Sequence, residues 1–127
     1  MKTASFTLTL ALVLGLPALA VADPAKTMDS AKGKIFTDAK GMSLYTFDND
    51  KGGKSACNGP CAVNWPPLMA AASDKASGKW TVITRNDGGK QWAYDGKPVY
   101  TFKADAKPGD VKGDGVKGIW HLAKPAM

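Results

Sequence analysis

The chain has 127 residues, a formal net charge of +6, 44% hydrophobic side chains and two cysteines, enough for one small domain. Its cationic excess is carried by scattered lysines, with Arg85 the sole arginine, which argues against phosphate or base readout by arginine forks and against a nucleic-acid partner. It contains no glutamate and a single histidine. It also lacks a phosphate-loop glycine pattern and a Gly-x-Ser-x-Gly elbow, so no catalytic set can be assembled and the chain does not read as an enzyme.

In chain order, Lys2 precedes an apolar run from Phe6 to Ala20, closed by the small residues Ala20-Val21-Ala22. Residues 1–22 read as a secretory signal peptide. Its removal leaves 105 residues (127 less 22). No later run approaches the ~18 apolar residues of a membrane span. Residues 23–31 read as a flexible polar leader, and 32–127 as the folded domain.

Strand signals dominate that domain. Ile35-Phe36-Thr37 runs into the turn Asp38-Ala39-Lys40-Gly41, and Ser43 to Phe47 follows. Lys79 to Thr84 leads into Asn86-Asp87-Gly88-Gly89, whose residues tolerate positive φ and predict a hairpin. Gln91 to Tyr94 then meets Asp95-Gly96, a second hairpin signal, before Val99 to Phe102. Ile119 to Leu122 closes the domain. Leu68 to Ala76 has the only helix-like composition and predicts one or two turns. The expected fold is mostly β: a small single domain of two related antiparallel meander units.

The two units are visible as an internal repeat. Tyr45-Thr46-Phe47 with Asp50 returns as Tyr100-Thr101-Phe102 with Asp105, and Trp65 returns as Trp120, all at an offset of 55. A fixed period of this length marks two copies of one supersecondary unit. On a strand, Tyr45 and Phe47 share one face, as do Tyr100 and Phe102. Two readings of that face are open. The aromatics are core and the aspartates turn residues, or the aromatic row with Trp65 and Trp120 is a ligand platform.

The two copies of Tyr-x-Phe-x-x-Asp, the segment Cys57-x3-Cys61-Ala62-x2-Trp65-Pro66-Pro67-Leu68, and the closing Gly118-Ile119-Trp120-His121 resemble a family of exported bacterial proteins. That family is described as secreted repeats or predicted lipoproteins of unknown function, with a Y-x-[FWY]-x-x-D motif. The resemblance runs from about residue 33 to 124. It implies a bacterial, exported, repeat-built domain and no established reaction. This chain has no cysteine at the cleavage point to accept a lipid.

Cys57 and Cys61 flank Asn58-Gly59-Pro60, a segment that turns easily, and an exported chain meets an oxidising compartment. These features predict a local disulfide on one of two equivalent loops. The rival is a thiol-redox or copper site at Cys57 and Cys61, with His121 and Met42 or Met69 as further soft-metal ligands. The function expected is an exported protein, periplasmic or secreted, that binds a ligand or envelope partner without catalysis. The alternative is thiol-redox or copper handling at the cysteine pair.

Overall fold

The computed structural model describes residues 23–125, so residues 1–22, read above as a signal peptide, lie outside the described residues. Strand β1 (Lys26–Ser30) pairs antiparallel with β2 (Gly33–Thr37). A short strand β3 (Tyr45–Phe47) follows, then a single helical turn α1 (Pro60–Asn64). Next come β4 (Trp80–Thr84), β5 (Lys90–Tyr94) and β6 (Lys97–Pro98), which form a three-stranded antiparallel sheet. A 3-10 turn (Val116–Gly118) leads into β7 (Trp120–Leu122), which pairs with β3. The fold is mostly β and antiparallel, as the strand signals predict. No helix among the described residues is long and apolar enough to cross a membrane.

Two sequence expectations need correction. The segment read as a flexible leader contains β1, whose Lys26 to Ser30 match Thr37 to Gly33. Its Met28 packs against the core, so the polar composition of this strand is that of an edge with one side in water. Leu68 to Ala76 is not helical. Pro66 and Pro67 disfavour a helix there. The chain instead stays extended, with Leu68 donating its N–H to Val99 O at 3.1 Å and accepting from Trp92 N at 2.9 Å. The helical turn falls earlier, at α1, where Pro60 occupies the first turn and needs no N–H partner.

The turns behave as their residues dictate. Asp95 and Gly96 join β5 to β6 with φ of 52° and 84°, a left-handed pair that aspartate and glycine accept most readily. Asp38 closes its turn by accepting Lys40 N and Met42 N on Oδ1, both at 2.9 Å.

The two copies meet about an approximate two-fold axis between Tyr45 and Tyr100. Each tyrosine donates its backbone N–H to the other's carbonyl, at 2.8 and 2.9 Å. Around that axis the copies exchange their last strands. β7 of the second copy lies on β3 of the first, with Phe47 opposite Trp120. The matching segment of the first copy lies on the second: Pro67 bridges Tyr100, and Lys103 N donates to Asn64 O at 2.8 Å. The equivalent bond in the other half, Asp48 N to Ile119 O, is 2.9 Å. Each motif strand is therefore completed by the other copy.

Candidate functional site at the exchanged motif strands

Tyr45 and Phe47 face one core cluster with Ile35, Trp65, Tyr100 and Trp120, while Leu44 turns to a second with Phe36, Trp92 and Val99. The two-residue strand period produces this division. In the first cluster, Phe47, Trp120, Trp65 and Phe102 form one continuous stack. The ring centroids are 4.2, 3.7 and 4.0 Å apart in that order, and the two indoles are tilted by only 2°. Tyr45 meets Trp65 edge-on at 5.5 Å, and Tyr100 meets Trp120 edge-on at 5.2 Å. Such pairs add about 0.5–1.5 kcal/mol each beyond burial.

The aspartates of the motif serve the opposite copy. Tyr45 Oη donates to Asp105 Oδ2 at 2.6 Å, and Tyr100 Oη donates to Asp50 Oδ2 at 2.7 Å. The second carboxylate oxygen ties down the loop that follows. Asp50 Oδ1 accepts Ala56 N at 2.6 Å, and Asp105 Oδ1 accepts Lys112 N at 2.9 Å. Each phenol oxygen also accepts one bond, from Gly113 N at 3.1 Å or from the Ser55 hydroxyl at 2.6 Å. Both phenols are pushed far above their ordinary pKa, first by burial and then by the aspartate beside them. Burial also raises Asp50, against the opposing pull of Ala56 N–H, the Tyr100 hydroxyl and the Arg85 charge. Gly113 permits one of these contacts: a Cβ there would stand 2.8 Å from both Tyr45 and Trp65 ring atoms.

All eight motif and tryptophan positions singled out from sequence thus converge. Tyr45, Tyr100, Trp65, Trp120 and Asp105 are buried, while Phe47, Phe102 and Asp50 are half-buried. They are core, yet the edges of the stack reach the surface. Two adjoining cavities of about 510 and 260 Å³ lie along it, between α1 and the 3-10 turn. The larger is walled by Trp65, Phe102, Asn64 and Val116, with Lys103 and Lys117 at its mouth. Lys117 has φ 52° between Gly115 and Gly118, a backbone conformation that a lysine seldom adopts.

The cysteines form the wall beside the smaller cavity. Cys57 and Cys61 are joined in a disulfide with Cα atoms 5.2 Å apart, and no free cysteine remains among the described residues. Cys57 is fully buried and Cys61 lines the cavity with Trp65 and Trp120. The residue that sequence reasoning missed is Arg85, only 5% exposed. Its Nη1 donates to Ser55 Oγ and Gln91 Oε1 at 3.0 and 2.8 Å, and its Nη2 to Cys57 O at 2.7 Å. A single guanidinium fork thereby clamps the disulfide loop of one copy to the sheet of the other.

His121 and the methionines stand apart from the bridge in their contacts. His121 Nε2 lies 2.9 Å from Asp48 Oδ2 on the exposed side of β7. Met69 is 53% exposed beside Gly89. No group of three or more metal-ligating His, Cys, Asp or Glu side chains occurs among the described residues. We expect the exported protein to show no free thiols under denaturing, non-reducing conditions. The Cys57→Ser, Cys61→Ser double variant should lose about 2 kcal/mol, read from urea denaturation, and still fold. Two free thiols with tight one-to-one Cu(I) binding would favour the metal reading instead.

No curated protein and no solved structure matches the chain significantly. The model of a family described as a secreted repeat of unknown function matches it twice, over residues 26–69 and 81–124. Those spans coincide with the two copies that exchange strands about Tyr45 and Tyr100. The chain belongs to that secreted-repeat family.

Proposed function

We propose that this exported domain works in the periplasm or outside the cell as a binding module without catalysis of its own. Its recognition surface is the groove between α1 and the Val116–Gly118 turn. The observation that supports this reading is the groove's construction: a rigid floor of stacked rings open along one edge, with Lys103 and Lys117 at its mouth. The larger cavity alone, at about 510 Å³, is within the ordinary size of ligand sites, which are mostly apolar with a few polar groups. The fitting occupant is an aromatic or apolar group carrying a negative charge, on a small ligand or on a segment of an envelope protein.

A photo-crosslinking residue placed at Asn64 or Lys103 tests this in whole cells. We expect one specific adduct from both positions and none from Lys75, which is exposed in the linker between the copies. Equal labelling from Lys75, or no adduct from either groove position, would remove the groove as the recognition surface.

A further inference from the structure

The interior of the domain joins three features that are seldom found together. The first is a pair of indoles stacked 3.7 Å apart. The second is a phenol against each indole. The third is a carboxylate 2.6 or 2.7 Å from each phenol hydroxyl. Stability alone accounts for their burial, but the order of the groups has a chemical consequence. Indole and phenol are the most readily oxidised ring side chains. A phenol that loses an electron becomes a strong acid, so its oxidation is easy only where a base can take the proton at once.

The geometry points to a one-electron relay: oxidising equivalents arriving at the surface edge of the ring stack are drawn inward and held on Tyr45 and Tyr100, with Asp105 and Asp50 as proton acceptors. The oxidant class is a one-electron acceptor such as a peroxyl radical, which an exported protein meets directly. It takes one electron from Trp65 and one proton from solvent and leaves as a hydroperoxide. Trp65 is then a cation radical. Tyr45 returns one electron to it, and the phenolic proton crosses to Asp105 Oδ2. The products are neutral Trp65, a neutral tyrosyl radical and a carboxylic acid. The Trp120–Tyr100–Asp50 set does the same about the two-fold axis.

The electrostatics favour this sequence. Burial holds both phenols protonated, so electron loss must be coupled to proton loss. Burial also raises Asp50, which makes its carboxylate a better proton acceptor than an exposed aspartate. The third tyrosine, Tyr94, packs in the other cluster, against Phe36 and Trp80. The relay would drain oxidising equivalents from the groove and from the disulfide beside it. It is independent of what the groove binds.

The test is photochemical oxidation of the purified domain by tris(bipyridine)ruthenium(III), followed by transient absorption and freeze-quenched electron paramagnetic resonance. We expect a neutral tyrosyl radical, formed more slowly in deuterium oxide, that survives Tyr94→Phe. Tyr45→Phe with Tyr100→Phe should replace it with a tryptophan radical. Asp50→Asn with Asp105→Asn should slow its formation about 100-fold, the scale of a lost positioned base. The relay is overturned if the radical disappears in Tyr94→Phe, if it persists in the double tyrosine variant, or if deuterium has no effect. Should the aspartate variants fail to fold, the isotope effect and Tyr94→Phe still decide it.

Discussion

Cut within the 70–79 linker, neither half of the domain should fold alone. Residues 23–75 would keep the β1–β2 hairpin but lose β7 from β3, the Trp120 face of Trp65 and the Asp105 partner of Tyr45. An isolated hairpin is marginal in water, and a chain of this length cannot bury enough surface by itself. Circular dichroism of each half should show no cooperative transition. Mixing them at equal concentration should restore one, because the lost contacts run between the copies. A cooperative unfolding transition in either half alone would contradict strand exchange.

Removing one indole of the central stack should be nearly as severe. Trp65 touches Trp120 on one face and Phe102 on the other, with Tyr45 against its edge. Trp65→Ala leaves a cavity where four rings meet and should cost on the order of 3–5 kcal/mol. The total stability of a domain is only about 5–15 kcal/mol, so much of the variant should be unfolded at moderate temperature. Trp120→Ala should match it within about 1 kcal/mol, since the two sites are related by the same axis. Urea denaturation read by far-ultraviolet dichroism checks both. A loss below about 1 kcal/mol in either variant would mean the stack is a surface platform and not the core.

Much of this was legible before the structure. The offset of 55 located both copies, and the alternation of Tyr and Phe placed the aromatics on one face. The Asp-Gly and Asn-Asp-Gly-Gly signals marked two turns. The exchange of strands was not legible, because a repeat fixes what its copies look like and not which copy each strand completes. The aspartates illustrate the same limit. Their role as loop anchors follows from local geometry, and Asp50 and Asp105 do accept the N–H groups of the loops that follow. Their phenol partners lie 50 and 60 residues away, beyond any local pattern.

Other signals were present but were given a different meaning. Arg85 stood out as one arginine among sixteen lysines. That contrast marks a position needing a planar fork with several donors, where a lysine would leave Cys57 O or Gln91 Oε1 without its bond. Lys26 to Ser30 looked too polar to be structural, yet an edge strand needs only one apolar side chain facing inward, and Met28 supplies it. Leu68 to Ala76 looked helical by composition, but the paired prolines before it and the open edges of Val99 and Trp92 held it extended. Tertiary pairing overrides a short stretch of helix propensity.

The most direct measurement is a pair of double-mutant cycles on Tyr45. One combines Tyr45→Phe with Asp105→Asn, across the two copies. The other combines Tyr45→Phe with Asp50→Asn, within one repeat motif. Strand exchange predicts a coupling of about 1–3 kcal/mol in the first cycle, that of a buried hydrogen bond to a carboxylate. It predicts coupling within about 0.5 kcal/mol of zero in the second. Coupling of Tyr45 to Asp50 with none to Asp105 would contradict the account, because each copy would then be closed on itself.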